Sequence, residues 1–285
     1  MNLINNQQFL VSVVIPCYNA SATIKETLDA ILTQTYQNLE IIICDDKSTD
    51  NTVDILKTYS DPRIRLVLNE VNKGVMDNYN IALSSATGMF VKIQCADDLY
   101  AADCIEKEVA VFMENKDKNI VMVTSDKWII NAKGDKLFKK RFPGKGGFYK
   151  GTNAVKKTIR LGQNIIGEPG CPLLLNETVK KVEGVRMPKE LGYVGDLDLW
   201  CRMLMLGNLF VIKEPLFYYR IIETSDSVKN QRWRQAKVFN TWVNSYMDRN
   251  IVRLSWFDKK LAFMSSWLIC LARNIVYATA NRKKK

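Results

Sequence analysis

Val11-Ser-Val-Val-Ile-Pro-Cys-Tyr-Asn19 and, further on, Glu40-Ile-Ile-Ile-Cys-Asp-Asp-Lys-Ser-Thr-Asp50 have the same build: a short β-branched run that stops abruptly at a polar cluster. Each reads as a strand buried on both faces, because apolar residues follow one another without alternation. Between them, Ile24, Leu28, Ile31 and Leu32 recur at helical spacing. After them, Asp50 to Tyr59 fits a short helix, and Ile64, Leu66 and Leu68 alternate as a strand. Asn72-Lys-Gly74 makes a turn before a helical stretch from Val75 to Ser85, and Phe90 to Gln94 is the next strand. The order βαβαβαβ predicts an α/β fold with a largely parallel sheet covered by helices.

Beyond residue 100 the pattern is less regular. Residues 133–151 are rich in Lys and Gly and read as a long loop or hairpin, and Gly167-Glu-Pro-Gly170 as a turn before the apolar Cys171 to Leu175. Gly195-Asp-Leu-Asp-Leu-Trp200 opens a helix, and Leu209 to Ile212 fits a strand. The expected division is a body at 1–225, made of a 1–100 half and a 101–225 half, followed by a helical appendage at 226–285.

The 285 residues include no histidine. Histidine-based triads, Cys-His dyads and histidine-bound zinc are therefore excluded, and a general base must be a carboxylate, lysine, tyrosine or cysteine. The seven cysteines, Cys17, Cys44, Cys95, Cys104, Cys171, Cys201 and Cys270, form no C-x-x-C pair. They read as buried free thiols of a reducing compartment. The first Lys is Lys25, so the apolar run at 9–15 is a strand and not a signal peptide. The expected location is cytoplasmic.

In parallel sheets, ligands bind beyond the C-terminal ends of the strands. Asp45 and Asp46 end one strand and Asp97 and Asp98 another. Carboxylates converging there could hold a hard divalent cation together with substrate phosphates. The same residues are also good turn formers and helix caps.

Taken in order, Pro16-Cys-Tyr-Asn19, Gln34-Thr-Tyr36, Asp45-Asp-Lys-Ser-Thr-Asp50, Asn72-Lys-Gly74, Ala86-Thr-Gly88 and Cys95-Ala-Asp-Asp98 resemble the family 2 glycosyltransferases over roughly residues 10 to 220. The resemblance implies a GT-A fold and inverting transfer of a sugar from a nucleotide diphosphate donor, UDP favoured. It implies a donor site built from Pro16, Tyr18, Asn19, Asp45, Asp46, Lys73, Ala96 and Asp97, with Tyr18 stacking on the base, Asp46 hydrogen-bonding it and Lys73 near the diphosphate. Asp97 matches the metal contact, for Mn²⁺ or Mg²⁺. Here the chain departs from the pattern: the family's first Asp is Cys95, a poorer partner for a hard cation, and Lys47 stands where Gly is usual.

Inverting transfer needs a carboxylate to take the acceptor hydroxyl's proton. The resemblance points to Asp196, with Asp198 as second choice, while a helix cap is the plainer reading of Asp196. Asp98, Glu168 and Asp198 are expected on the acceptor side.

The net charge of +11 is concentrated: residues 226–285 carry 13 Lys and Arg against three Asp, leaving the rest nearly neutral. Phe239, Trp242, Val243, Tyr246 and Met247 fall on one helix face, and Leu261 to Ala280 is almost wholly apolar. The expectation is that this second stretch, flanked by Lys259, Lys260 and Arg282 to Lys285, is an interfacial helix that holds the protein to the inner face of the cell membrane, beside a lipid-linked saccharide acceptor. Packing of that helix on the body or on a second subunit is the alternative. Nucleic acid as a partner rests on charge alone and is not expected. Two other readings are a sugar nucleotidyltransferase and, motivated by Cys95, a relative that binds sugar nucleotide or saccharide without catalysis. Oligomeric state is open.

Overall fold

The computed structural model describes residues 9–186, 194–221, 233–248 and 252–282, and the side chains at 246–248 and 273–282 lie outside that description. The first half follows the expected alternation: β1 (Val11–Cys17), α1 (Ile24–Leu32), β2 (Leu39–Asp45), α2 (Thr52–Lys57), β3 (Ile64–Leu68), α3 (Val75–Ser84) and β4 (Phe90–Ile93). β1 pairs in parallel with β2, from Val11 opposite Leu39 to Cys17 opposite Asp45, and with β4 on its other side. Every β1 residue is buried, as the unbroken apolar run requires of a strand covered on both faces. Val11, Val13, Ile15, Ile41 and Ile43 enter one core and Val14, Ile42 and Cys44 the other, which is the two-residue period of a strand.

Then come β5 (Leu99–Tyr100), α4 (Cys104–Glu114), β6 (Ile120–Ile130), β7 (Lys136–Lys140), β8 (Gly147–Tyr149), α5 (Gly151–Arg160), β9 (Leu173–Leu175), α6 (Asn176–Lys181), α7 (Gly195–Leu204) and β10 (Asn208–Arg220). The sheet order is β3-β2-β1-β4-β9-β6-β10-β5. β9 is antiparallel to both β4 and β6, and β6 is parallel to β10. The short β9 therefore joins two parallel groups that run the same way. The Lys/Gly stretch is a hairpin arm: β7 pairs with β6 and β8 with β10. The strand expected at Leu209–Ile212 continues to Arg220, with register shifts around Pro215, where a residue without an N–H is tolerated.

α8 (Arg234–Asp248) and α9 (Trp256–Arg282) close the chain. Phe239, Trp242 and Val243, from the first apolar face of the tail, are buried with Trp200, Leu204 and Ile159 in one core. The α8 stripe is thereby removed from water in the core to which α5 and α7 also contribute. Tyr246 and Met247 lie outside the described side chains. α9 crosses the end of α5 at Gly162 (φ +65°), where a Cβ would come within 2.3 Å of the Ser266 backbone nitrogen. Among the described residues, no helix is long and apolar enough to cross a membrane.

Candidate active site

The loops after β1 and β2 are laced together. Asn19 (φ +49°) donates its backbone N–H to the Ser48 hydroxyl at 2.9 Å and accepts from Thr49 N–H at 2.8 Å. Asp45 accepts the Ser48 N–H at 2.8 Å. Lys47 holds φ +60°, a left-handed conformation that glycine adopts without strain. Asp46 accepts three bonds at 2.8 Å, from Asn69 Nδ2 and from the backbone N–H groups of Lys73 and Gly74. Asp45 and Asp46 are thus buried carboxylates that brace loops, and the second fixes the loop carrying Lys73. Tyr18 stays half exposed, its ring free to meet a planar group.

The end of β4 delivers Cys95, Ala96, Asp97 and Asp98. Ala96 anchors the segment through its carbonyl, which accepts the Thr23 hydroxyl at 2.7 Å. One Asp98 oxygen accepts the Arg220 N–H at 2.8 Å, and Arg220 Nε donates to the Asp97 carbonyl at 2.7 Å. The other Asp98 oxygen is buried with no hydrogen-bond partner. Burial pushes the carboxyl groups of both Asp97 and Asp98 above the usual range, and the neighbouring Asp97 adds to the effect on Asp98. One donor atom from each of Cys95, Asp97 and Asp98 lies within 4.8 Å of the others. Two clustered carboxylates with an uncommitted buried oxygen fit a hard divalent cation completed by substrate phosphate. The Cys95 thiol, 3.4 Å from the Tyr79 hydroxyl, adds little for such an ion.

A cavity of about 570 Å³ opens beside this cluster, and Cys95, Asp97, Asp98, Lys140, Glu168 and Asp196 lie in its wall. Asp196 stands in the first turn of α7, accepting the Leu197 N–H at 2.7 Å and Asn164 Nδ2 at 2.9 Å. Burial and then the charge of Glu168 push its carboxyl up to about 6, against those two hydrogen bonds and Lys127. Glu168 forms a close ion pair with Lys127, and Lys140 approaches to 3.7 Å. Burial acts to raise its carboxyl, but the two lysines prevail and hold it at about 2. Neighbouring carboxyl groups are thereby driven in opposite directions, a common mark of acid–base sites.

The structure therefore brings together Asp97, Asp98, Glu168 and Asp196. Pro16, Tyr18, Asn19, Asp45, Asp46, Lys73 and Ala96 lie outside the cavity wall, on the adjoining strand ends and loops. Asp198 faces away: its carboxylate takes Arg202 Nε at 2.7 Å and the Trp242 indole N–H at 3.1 Å. Sequence reasoning missed Tyr79, Lys127, Asn164 and Arg220, and it missed that Phe239, Ile269 and Cys270 of the tail also line the cavity. The only sequence signal for the tail's role was its apolar periodicity.

The model of glycosyl transferase family 2 matches residues 12–173. EpsE of Bacillus subtilis (strain 168) is 31% identical over 228 residues, 78% of this chain and 76% of its own length. WfgD of Escherichia coli, a UDP-Glc:alpha-D-GlcNAc-diphosphoundecaprenol beta-1,3-glucosyltransferase, is 38% identical over 123 residues, covering 43% of this chain and 47% of its own. Residues 1–349 of S. aureus TarS, solved in complex with UDP-GlcNAc, share the fold with a TM-score of 0.69 at 18% identity, over 89% of this chain and 71% of that one.

Proposed function

The chain belongs to glycosyl transferase family 2, and from that premise we propose that it moves a sugar from a nucleoside diphosphate donor, UDP favoured, to a lipid-diphosphate-linked saccharide. The product is a bacterial surface polysaccharide of the O-antigen or capsule type, assembled at the inner face of the cell membrane. The observation that carries the reading is Asp196, in the wall of a cavity shared with Asp97 and Asp98, with a carboxyl pushed up to about 6. Such a group is mostly ionised at neutral pH yet basic enough to take a proton.

In this reading Asp196 accepts the proton of the acceptor hydroxyl as its oxygen attacks the anomeric carbon. The new carbon–oxygen bond forms on the face opposite the leaving group. The bond to the diphosphate breaks, its electron pair leaves with the nucleoside diphosphate, and Asp196 later gives its proton to water. Glu168, kept ionised by Lys127, holds Asp196 high and lines the acceptor side. On the donor side the base stacks on Tyr18, and Asp46 holds the loop that brings Lys73 toward the diphosphate. A divalent cation held by Asp97 and Asp98 would supply positive charge against the departing diphosphate. The names of WfgD and of the TarS complex support a uridine donor, and that of WfgD a lipid-diphosphate acceptor.

The test is a thermal-shift panel of UDP, GDP, dTDP and CMP, each with Mn²⁺ and with EDTA, since a ligand of the native state raises its apparent stability. UDP should raise the melting temperature, and more with Mn²⁺. No shift with any nucleotide would overturn the reading. Asp196→Asn should keep the UDP shift and lose transfer by about a hundred- to ten-thousand-fold.

A further inference from the structure

α9 has two faces with different surroundings. Ala262, Ser266 and Cys270 are buried against the body. Asp258 receives Arg160 Nε at 2.5 Å and Ser255 N–H at 2.8 Å, and Asn240 donates to the Ser266 hydroxyl at 2.9 Å. Ser266, Ile269 and Cys270 reach the cavity that holds Asp196. The helix is therefore fixed in place and is one wall of the site.

Its other face is largely open, Trp267 within it packing against the Trp233 ring at 5.5 Å. Trp256, Phe257, Phe263, Met264, Leu268 and Leu271 are 47–72% exposed. At 3.6 residues per turn they fall within an arc of about 140°. Among the described side chains, the charged one inside that arc is Lys260, whose Nζ lies 5.0 Å from the Trp256 ring. Large aromatic and aliphatic side chains so concentrated on one face are not an ordinary exposed surface.

We propose that this outer face of α9 docks on the surface of a bilayer that carries anionic headgroups, with the helix lying in the plane of the leaflet. Three observations choose that occupant. The stripe combines tryptophan and phenylalanine with a lysine that can reach headgroups while its stem covers apolar surface, as in interfacial helices. Residues 226–285 hold nearly all of the protein's excess positive charge, which complements an anionic leaflet. Among the described residues no helix is long and apolar enough to span, so a membrane contact made by this face lies in the plane of the leaflet. The inference rests on the lipid-linked acceptor proposed above, and deepens it: one helix would hold the membrane on one face and wall the acceptor cavity on the other. A saccharide on a short headgroup would then enter the site while its lipid stays in the leaflet.

The test uses the full chain and vesicles without acceptor: phosphatidylcholine alone, or with phosphatidylglycerol. The wild type should co-sediment with the anionic vesicles and much less with the neutral ones. Phe257→Glu combined with Leu268→Glu should weaken that binding by roughly tenfold or more. The variant should keep wild-type transfer to a water-soluble, short-chain saccharide diphosphate, measured without vesicles. Folding of the variant is checked by its UDP thermal shift. Absence of vesicle binding by an enzyme active on the soluble acceptor would overturn the docking and leave the proposed function standing. Vesicle binding without any transfer to that acceptor would do the reverse. Equal binding to both vesicle types would overturn the anionic preference. A solution dimer in sedimentation equilibrium that the double substitution splits, with no vesicle binding, would assign the face to a second copy of the chain and overturn the proposal.

Discussion

The indole N–H of Trp242, on α8, donates to the carboxylate of Asp198, 3.1 Å away on α7. The second oxygen of the same carboxylate is held by Arg202 Nε at 2.7 Å, and Arg202 is itself buried. The terminal helices are thereby tied to the helix that carries Asp196, and Asp198 is occupied with structure. Asp198→Ala would leave the Arg202 charge buried without its partner, so we expect a loss of about 3 kcal/mol in urea unfolding. Residual transfer per folded molecule should fall far less than in Asp196→Asn.

Asp196 works against the stability of the fold. Its carboxyl rises from the ordinary 3.8 to about 6 on folding. Below about pH 4 both states are protonated and nothing is lost; above about pH 6 the folded state holds a charge it disfavours. Asp196→Asn should therefore stabilise the protein by about 3 kcal/mol at pH 8, with the gain vanishing near pH 4. Denaturant titrations at the two pH values would show it, and an equal gain at both would contradict the assignment.

Glu168 supplies part of that upward push through its negative charge. In Glu168→Gln the charge is gone and Lys127 is left beside Asp196, so the carboxyl should ionise more readily. The acid limb of the kcat/KM profile, near pH 6 in the wild type, is expected to move to lower pH. A limb that stays fixed would mean that the titrating group is not Asp196.

Lys92 and Glu108 make an ion pair with both side chains fully buried, Nζ lying 2.8 Å from each carboxylate oxygen and 3.1 Å from the Cys171 carbonyl. Burial pushes the Glu108 carboxyl up to about 7, against the pull of Lys92. Lys92→Met alone should cost about 3 kcal/mol, because Glu108 is left without its counter-charge. Lys92→Met with Glu108→Met should recover most of the loss, read from chemical denaturation of both variants.

Cys95→Asp would replace a thiol near two carboxylates by a third hard oxygen donor. Mn²⁺ binding, followed by calorimetry without nucleotide, should tighten by roughly tenfold. Unchanged affinity would show that the cation does not meet residue 95.

The first half of the fold was legible because its strands announce themselves. Residues 11–15 and 40–44 are apolar at nearly every position and end at Pro16 and at Asp45, so burial on both faces and the site-bearing ends could be read together. β6 was not, since Thr124-Ser-Asp-Lys127 interrupts its apolar run like a turn. Three of those four are buried with a distant partner: Thr124 the Ile166 carbonyl, Asp126 the Phe142 N–H, Lys127 the Glu168 carboxylate. Asp196 could be read from its helix start, but Arg220 meets Asp98 across 122 residues, and no local pattern encodes such a pairing. The tail was ambiguous for a related reason. An apolar helix stripe looks the same in sequence whether it meets a membrane or the protein's own core, and α8 uses its stripe for the core.

The insertion of β9 between β4 and β6 has a consequence for how the chain is made. β4 is complete at Ile93, yet its second neighbour, Leu173–Leu175, emerges about 80 residues later. At a synthesis rate of about 5–20 residues per second, that is roughly 4–16 s during which a finished strand of the first half has one side unpaired. For that interval the nascent protein carries an apolar edge of the kind that invites foreign strands. The three residues of β9 thus act as a closing seal, and substitutions there should show first in the yield of soluble protein during synthesis, ahead of any effect on the finished enzyme.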